Sequence, residues 1–198
     1  MNFLAHLYLS NNHTNILIGN FIADHIQGNH FTHFHPEIQQ GIVLHRHIDT
    51  FTDSHKTVRK SKRRLNARYG HYKGVIIDIF YDHYLAKNWP VYSDVPLDVF
   101  AQNVYQILDN RKEQLPKKTQ ELLPFMIKHN WLYNYQFLDG IQQVLNGVNR
   151  RTQQKSQMHL ALEDLKLHYK EFEEDFTLFF EDLQLFSKQK LKEISTIT

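Results

Sequence analysis

Gly41-Ile42-Val43-Leu44-His45-Arg46-His47-Ile48-Asp49-Thr50-Phe51-Thr52-Asp53 carries the most informative periodicity in the chain. As a helix it aligns Ile38, Ile42, His45, Asp49 and Asp53 along one face, at steps of three and four. The first two are apolar and the last three are not. An inward stripe therefore changes from apolar to metal-ligating chemistry partway along one helix. Burying an imidazole and two carboxylates is costly unless something compensates them. A bound cation is the most direct compensation for that set.

Outward from this stretch, helical periodicity recurs and strand alternation is hard to find. The spacing predicts helices over 3–7, 16–27 (capped by Asn15 and stopped by Gly28), 72–88 and 131–148. Pro36 suits the first turn of the central helix, and 30–35 reads as a loop. Pro124 punctuates a further helical stretch. An amphipathic tail runs over 158–194, with a bend expected near Thr177. No repeat or linker interrupts the chain, so 1–198 is expected to form one all-α domain, a helical bundle.

Composition narrows the function. The 198 residues contain no cysteine, which excludes disulfides, thiolate metal sites and cysteine nucleophiles. A net charge of +2 names no partner by bulk electrostatics. No Lys or Arg precedes Arg46, polar residues at 11–15 break the first apolar run, and no run is long enough to cross a bilayer. A soluble cytoplasmic protein with no membrane partner is expected.

Three other predicted helices carry polar groups inside an apolar stripe: Phe3, His6, Leu7 and Ser10; Leu17, Asn20 and Asp24; and Val75, Asp78, Asp82, Leu85 and Trp89, with His83 beside the second acid. A lone inward histidine is ordinarily a hydrogen-bonded core residue, and a lone inward aspartate can cap a neighbouring helix. Together the four stripes make a candidate centre of imidazoles and carboxylates converging on one core. Oxygen-rich ligation without sulfur suits Mn, Mg or Fe better than structural zinc. Such ions hydrolyse phosphate esters by lowering the pKa of a bound water and steadying the leaving oxygen.

The segment 56–68 is basic and one-signed, with Arg59, Lys60, Arg63 and Arg64 in adjacent rows of a helix. A solvated helix face is the ordinary explanation. An anionic partner would relieve the self-repulsion. Arg150 and Arg151 could add phosphate-binding charge, or simply complement a helix C-terminus.

Met1-Asn2-Phe3-Leu4-Ala5-His6-Leu7, Gly19-Asn20-Phe21-Ile22-Ala23-Asp24, His45-Arg46-His47-Ile48-Asp49 with Thr52-Asp53, and Asp78-Ile79-Phe80-Tyr81-Asp82-His83-Tyr84-Leu85 resemble, in that order, the acyl-carrier-protein phosphodiesterase family. Trp131-Leu132 and Val144-Leu145-Asn146-Gly147 with Arg150-Arg151 are similar too. The resemblance implies an all-α, HD-domain-like hydrolase that uses Mn2+, with Mg2+ or Fe2+ as alternatives. Its reaction removes 4′-phosphopantetheine from the serine of holo acyl carrier protein, a small acidic partner for Arg59, Lys60, Arg63 and Arg64. On this reading His6, Asp24, His45, Asp49, Asp82 and His83 hold the metal. Asp24, Asp49, Asp78 and Asp82 are catalytic, with Asp78 and Asp53 orienting ligands or carrying protons. A metal-dependent hydrolase of nucleotides or small phosphodiesters is the near rival. A nucleic-acid-binding module without catalysis is the distant one, and no nucleic acid is expected as partner.

Overall fold

A computed structural model describes residues 1–196. The last two residues of the expected 1–198 domain lie outside the described ones. Twelve α-helices and no strand occur among the described residues: α1 Phe3–Tyr8, α2 Thr14–Ile22, α3 Pro36–Ser54, α4 Lys56–Arg64, α5 Lys73–Lys87, α6 Trp89–Tyr92, α7 Leu97–Asn110, α8 Lys117–Lys128, α9 Trp131–Asn134, α10 Leu138–Arg151, α11 Ala161–Leu167 and α12 Tyr169–Thr196. The all-α expectation holds.

The local chemistry explains several boundaries. Pro36 opens α3, and the ring of His35 accepts a hydrogen bond from the Glu37 amide. His55 ends α3 and its ring accepts from the Thr57 amide, so one residue closes one helix and caps the next. α5 stops at Asn88, and α6 begins anew with Pro90 in its first turn.

Other boundaries differ from the spacing. α2 ends at Ile22, and Asp24 lies in a 3-10 turn, Ala23–His25, rather than on a longer helix. The stretch 131–148 divides into α9 and α10 with a break at 135–137. α8 continues through Pro124. The tail breaks at His168 instead of near Thr177, where α12 is uninterrupted and the Thr177 hydroxyl bonds back to the Glu173 carbonyl. A threonine that returns its hydroxyl to the preceding turn is compatible with a continuous helix.

α3 is the axis of the core. On one side α2 crosses it so closely that the backbones touch. A Cβ on Gly41 would stand 2.2 Å from the Ile16 carbonyl oxygen, and one on Gly19 would stand 2.0 Å from that of Ile38. Neither position has space for any side chain, so the two glycines set the interhelical distance. On the other side α12 packs along α3, α4 and α5. It buries Phe172, Phe176, Phe179, Phe180 and Leu183 completely, at helical spacing. Phe51 stacks on Phe186 at 4.4 Å, and Tyr81 meets Phe176 edge-on at 5.6 Å. Aromatic pairs of this kind add about 0.5–1.5 kcal/mol each beyond their area burial.

The basic helix α4 is held by a buried acid far away in sequence. Asp175 of α12 has no exposed surface, and it accepts hydrogen bonds from Lys60 Nζ (2.9 Å), the Ser61 hydroxyl (2.8 Å) and Arg64. Two of the four cations expected to face a partner, Lys60 and Arg64, are thus internal counterions. Arg59 and Arg63 are exposed and pair with no acid among the described residues.

Candidate metal centre

The close crossing of α2 over α3 brings Asn20 and Asp24 against His45, and α1 adds His6 from the flank. The two imidazoles stack, with ring centroids 3.8 Å apart and planes 14° from parallel. Both are buried. Asn20 fixes their orientation. Its Nδ2 donates to the His6 carbonyl (2.7 Å) and the Ser10 hydroxyl (3.1 Å), which turns Oδ1 toward the rings. His6 Nδ1 stands 2.8 Å from that oxygen, and His45 Nδ1 stands 2.8 Å from the Asn20 backbone carbonyl. Both partners are acceptors, so both Nδ1 atoms carry the proton. In the neutral rings both Nε2 atoms are therefore bare.

Those bare nitrogens face carboxylates. His45 Nε2 is 3.2 Å from Asp24 Oδ1 and 3.2 Å from Asp49 Oδ2, and His6 Nε2 is 3.2 Å from Asp49 Oδ1. His6 Nε2 is buried and makes no hydrogen bond, despite that short distance. His6, His45 and Asp49 each offer an atom within 4.8 Å of the others, the spacing that one ion requires. Asp24 joins through His45.

The protonation pattern reflects the crowding. Burial outweighs everything else at His6 and lowers its pKa to about 4, helped by the neighbouring imidazole. At His45 burial also acts downward, but the Asp24 and Asp49 carboxylates overcome it and raise the pKa to about 9. Two rings this close cannot both be charged, so one proton occupies the pair and His6 Nε2 stays bare. Burial would raise the Asp49 carboxyl, yet the two imidazoles and the Met1 amino group hold it far below the carboxylate range.

Asp78 is next to this group. Its Oδ1 lies 3.3 Å from the Met1 amino group, which is itself 3.4 Å from Asp49 Oδ1. Burial raises the Asp78 pKa, against the pull of that ammonium. Met1 was not singled out by sequence reasoning, because a backbone amine has no side-chain signal.

Asp82 and His83, expected as ligands, are engaged by protein groups and lie outside the His6, His45 and Asp49 cluster. Asp82 accepts from the amides of Leu4 (2.7 Å) and Ala5 (3.1 Å) and so closes the N-terminus of α1. Burial pushes its pKa up to about 7, with those amides acting in the opposite sense. Both ring nitrogens of His83 are already engaged, by the Tyr135 carbonyl and the Tyr169 hydroxyl, each at 2.7 Å. Asp53 is exposed and pairs with Lys62 at 2.9 Å, which ties α4 to the rim.

A cleft of about 770 Å³ opens over the group. Asp24, Asp49 and Asp78 are among its lining residues, as are Val75, Phe125, Trp131 and Val144. Arg150 and Arg151 complete it. No helix among the described residues is long and apolar enough to cross a membrane.

A family model described as acyl carrier protein phosphodiesterase matches residues 1–183. Proteins called acyl carrier protein phosphodiesterase from Salmonella agona and Photorhabdus laumondii are each 33% identical to this chain. The first alignment covers 91% of this chain and 94% of its relative, and the second 91% of both. No solved structure matches.

Proposed function

The chain belongs to the acyl carrier protein phosphodiesterase family, and from that premise we propose that it hydrolyses the phosphodiester joining 4′-phosphopantetheine to the serine of holo acyl carrier protein. The products are apo carrier and free 4′-phosphopantetheine. The observation that supports a metal-dependent route is the pair of Nε2 atoms. Asn20 turns both lone pairs into a space already bordered by the carboxylates of Asp24 and Asp49. In metal-free protein a single proton on His45 is shared with the two carboxylates, while His6 Nε2 has none; a divalent ion would replace that proton and engage both nitrogens. The donors are two nitrogens and carboxylate oxygens without sulfur, which fits Mn2+, with Mg2+ or Fe2+ as alternatives.

On this reading His6, His45, Asp49 and Asp24 hold the ion, and Asn20 fixes the two rings for it. When bound, the ion supplies an acidified water and charge stabilisation for the phosphoryl oxygens. Burial raises the Asp78 carboxyl and the adjacent Met1 ammonium opposes that shift. This carboxyl–ammonium pair would pass a proton to the departing serine oxygen as the P–O bond breaks and water adds to phosphorus. Arg59 and Arg63, the unpaired cations of α4, steer the acidic carrier toward the rim where Lys62 meets Asp53.

The test is to incubate purified protein with holo carrier and Mn2+ and follow the carrier mass. Loss of the phosphopantetheine mass is expected. An unchanged mass with Mn2+, Mg2+ and Fe2+ alike would overturn the assignment.

A further inference from the structure

The cleft has a division of chemistry that the metal group does not use. Phe125 is 60% exposed and Val75 42% exposed, although both are large apolar residues lining a concave wall. Trp131 and Val144 continue the wall and are only partly buried. Arg150 and Arg151 lie in the last turn of α10, exposed, and make no ion pair among the described residues. Interaction with the carbonyls at the end of α10 accounts for a cation in that turn. It does not account for two guanidinium groups bordering a cleft beside three acids without pairing to any of them.

We propose that this cleft is the seat of the phosphopantetheine arm, with Arg150 and Arg151 holding its phosphate and Val75, Phe125, Trp131 and Val144 holding its pantetheine portion. The inference rests on the phosphodiesterase reading and adds the binding residues to it. A phosphate needs fixed planar donors that match its oxygens, which guanidinium groups supply. The arm beyond it has a geminal dimethyl carbon followed by amide-linked methylenes, and these suit an apolar wall with occasional polar edges. The two guanidinium groups and the acids of the metal group line the same cleft, so one bound arm would reach both. Seated this way, the arm is read by its chemistry and not only by the protein that bears it.

The test is calorimetric titration of the full-length protein, in Mn2+-containing buffer, with 4′-phosphopantetheine and with pantetheine lacking the phosphate. Binding of the first ligand is expected, weakened about tenfold or more in the Arg150→Gln/Arg151→Gln double variant, with pantetheine affinity unchanged there. Phe125→Ser with Val144→Ser should weaken both ligands. All four side chains are exposed or partly so, and unchanged melting temperatures verify the folds. Absence of 4′-phosphopantetheine binding to the wild type, or equal binding by both variants, overturns the seat. The two readings fail separately: cleavage of holo carrier without arm binding removes only the seat, and arm binding without cleavage removes only the proposed reaction.

Discussion

The pair His6–His45 and the pair Asp82–His83 are similar in sequence and opposite in structure. Both place titratable side chains on apolar helix stripes, and both are buried. At Asp82 and His83 every polar atom discussed above meets a complementary protein group: two backbone amides for the acid, and a carbonyl and a hydroxyl for the ring. At His6 and His45 complementarity covers only the Nδ1 side, and the Nε2 side faces carboxylates. Satisfied polar residues in a core are scaffold. At the candidate centre two carboxylates and the buried His6 Nε2 share a single proton, on His45, and that distinguishes it.

The largest expected consequence lies on the unsatisfied side. Asp49→Ala or Asp24→Ala removes a partly exposed carboxylate that touches His45, and turnover on holo carrier should fall about a hundredfold or more while the protein stays folded. Far-UV circular dichroism beside the mass assay separates the two quantities. Full activity in both variants would falsify the site assignment.

The satisfied side should respond in the other currency. Asp82→Ala leaves the Leu4 and Ala5 amides buried without an acceptor, a loss of about 2–4 kcal/mol in urea unfolding. His83→Ala opens a smaller defect, about 1–3 kcal/mol, by orphaning the Tyr135 carbonyl and the Tyr169 hydroxyl. Both should retain Mn2+ binding where folded protein remains. Loss of metal without loss of stability at Asp82 would collapse the distinction between the two regions.

Between these regions lies the contact that makes the first possible. Gly41→Ala drives a methyl into the Ile16 carbonyl, and the helices must separate at a cost of about 1–3 kcal/mol. Because Asn20 and Asp24 lie just beyond that crossing, metal affinity should fall with stability. A variant that loses only stability would detach the crossing from the site.

How far the sequence revealed this follows from the range of the interactions. The face of α3 bearing Ile42, His45 and Asp49 was legible because helical spacing is local and the buried stripe visibly changed character. The role of Asp24 was visible as chemistry, though not as a 3-10 turn, since α2 stops at the helix crossing and not at its glycine signal. Periodicity could not separate Asp82 and His83 from His6, His45 and Asp49, because what satisfies them comes from α1, from Tyr135 and from Tyr169. The pairing of Lys60 and Arg64 was hidden for the same reason: Asp175 lies more than a hundred residues away, and no pattern within 56–68 announces a buried counterion.

The smallest expected effect is a pH profile, and its sign divides the two states of the centre. In metal-free protein His6 titrates near 4 against an ordinary 6.5, so the unfolded chain binds the extra proton and stability rises as pH climbs from 4 to 6.5. His45 titrates near 9. Its contribution is complete below 6.5 and is lost as pH rises to 9. The two limbs occupy separate pH windows and meet in a maximum near 6.5, so stability at pH 4 differs little from that at pH 9 and the contrast between those two ends is small. His6→Gln should flatten the acid limb and His45→Gln the alkaline limb, read as wild-type minus variant in chelator-treated melts. Saturating Mn2+ should reverse the alkaline limb, because the ion displaces the His45 proton and binds better as that proton is lost. If melts with and without Mn2+ superimpose from pH 6.5 to 9, the proton alone occupies the centre, and the contrast with Asp82 and His83 becomes one of charge rather than of a missing ion.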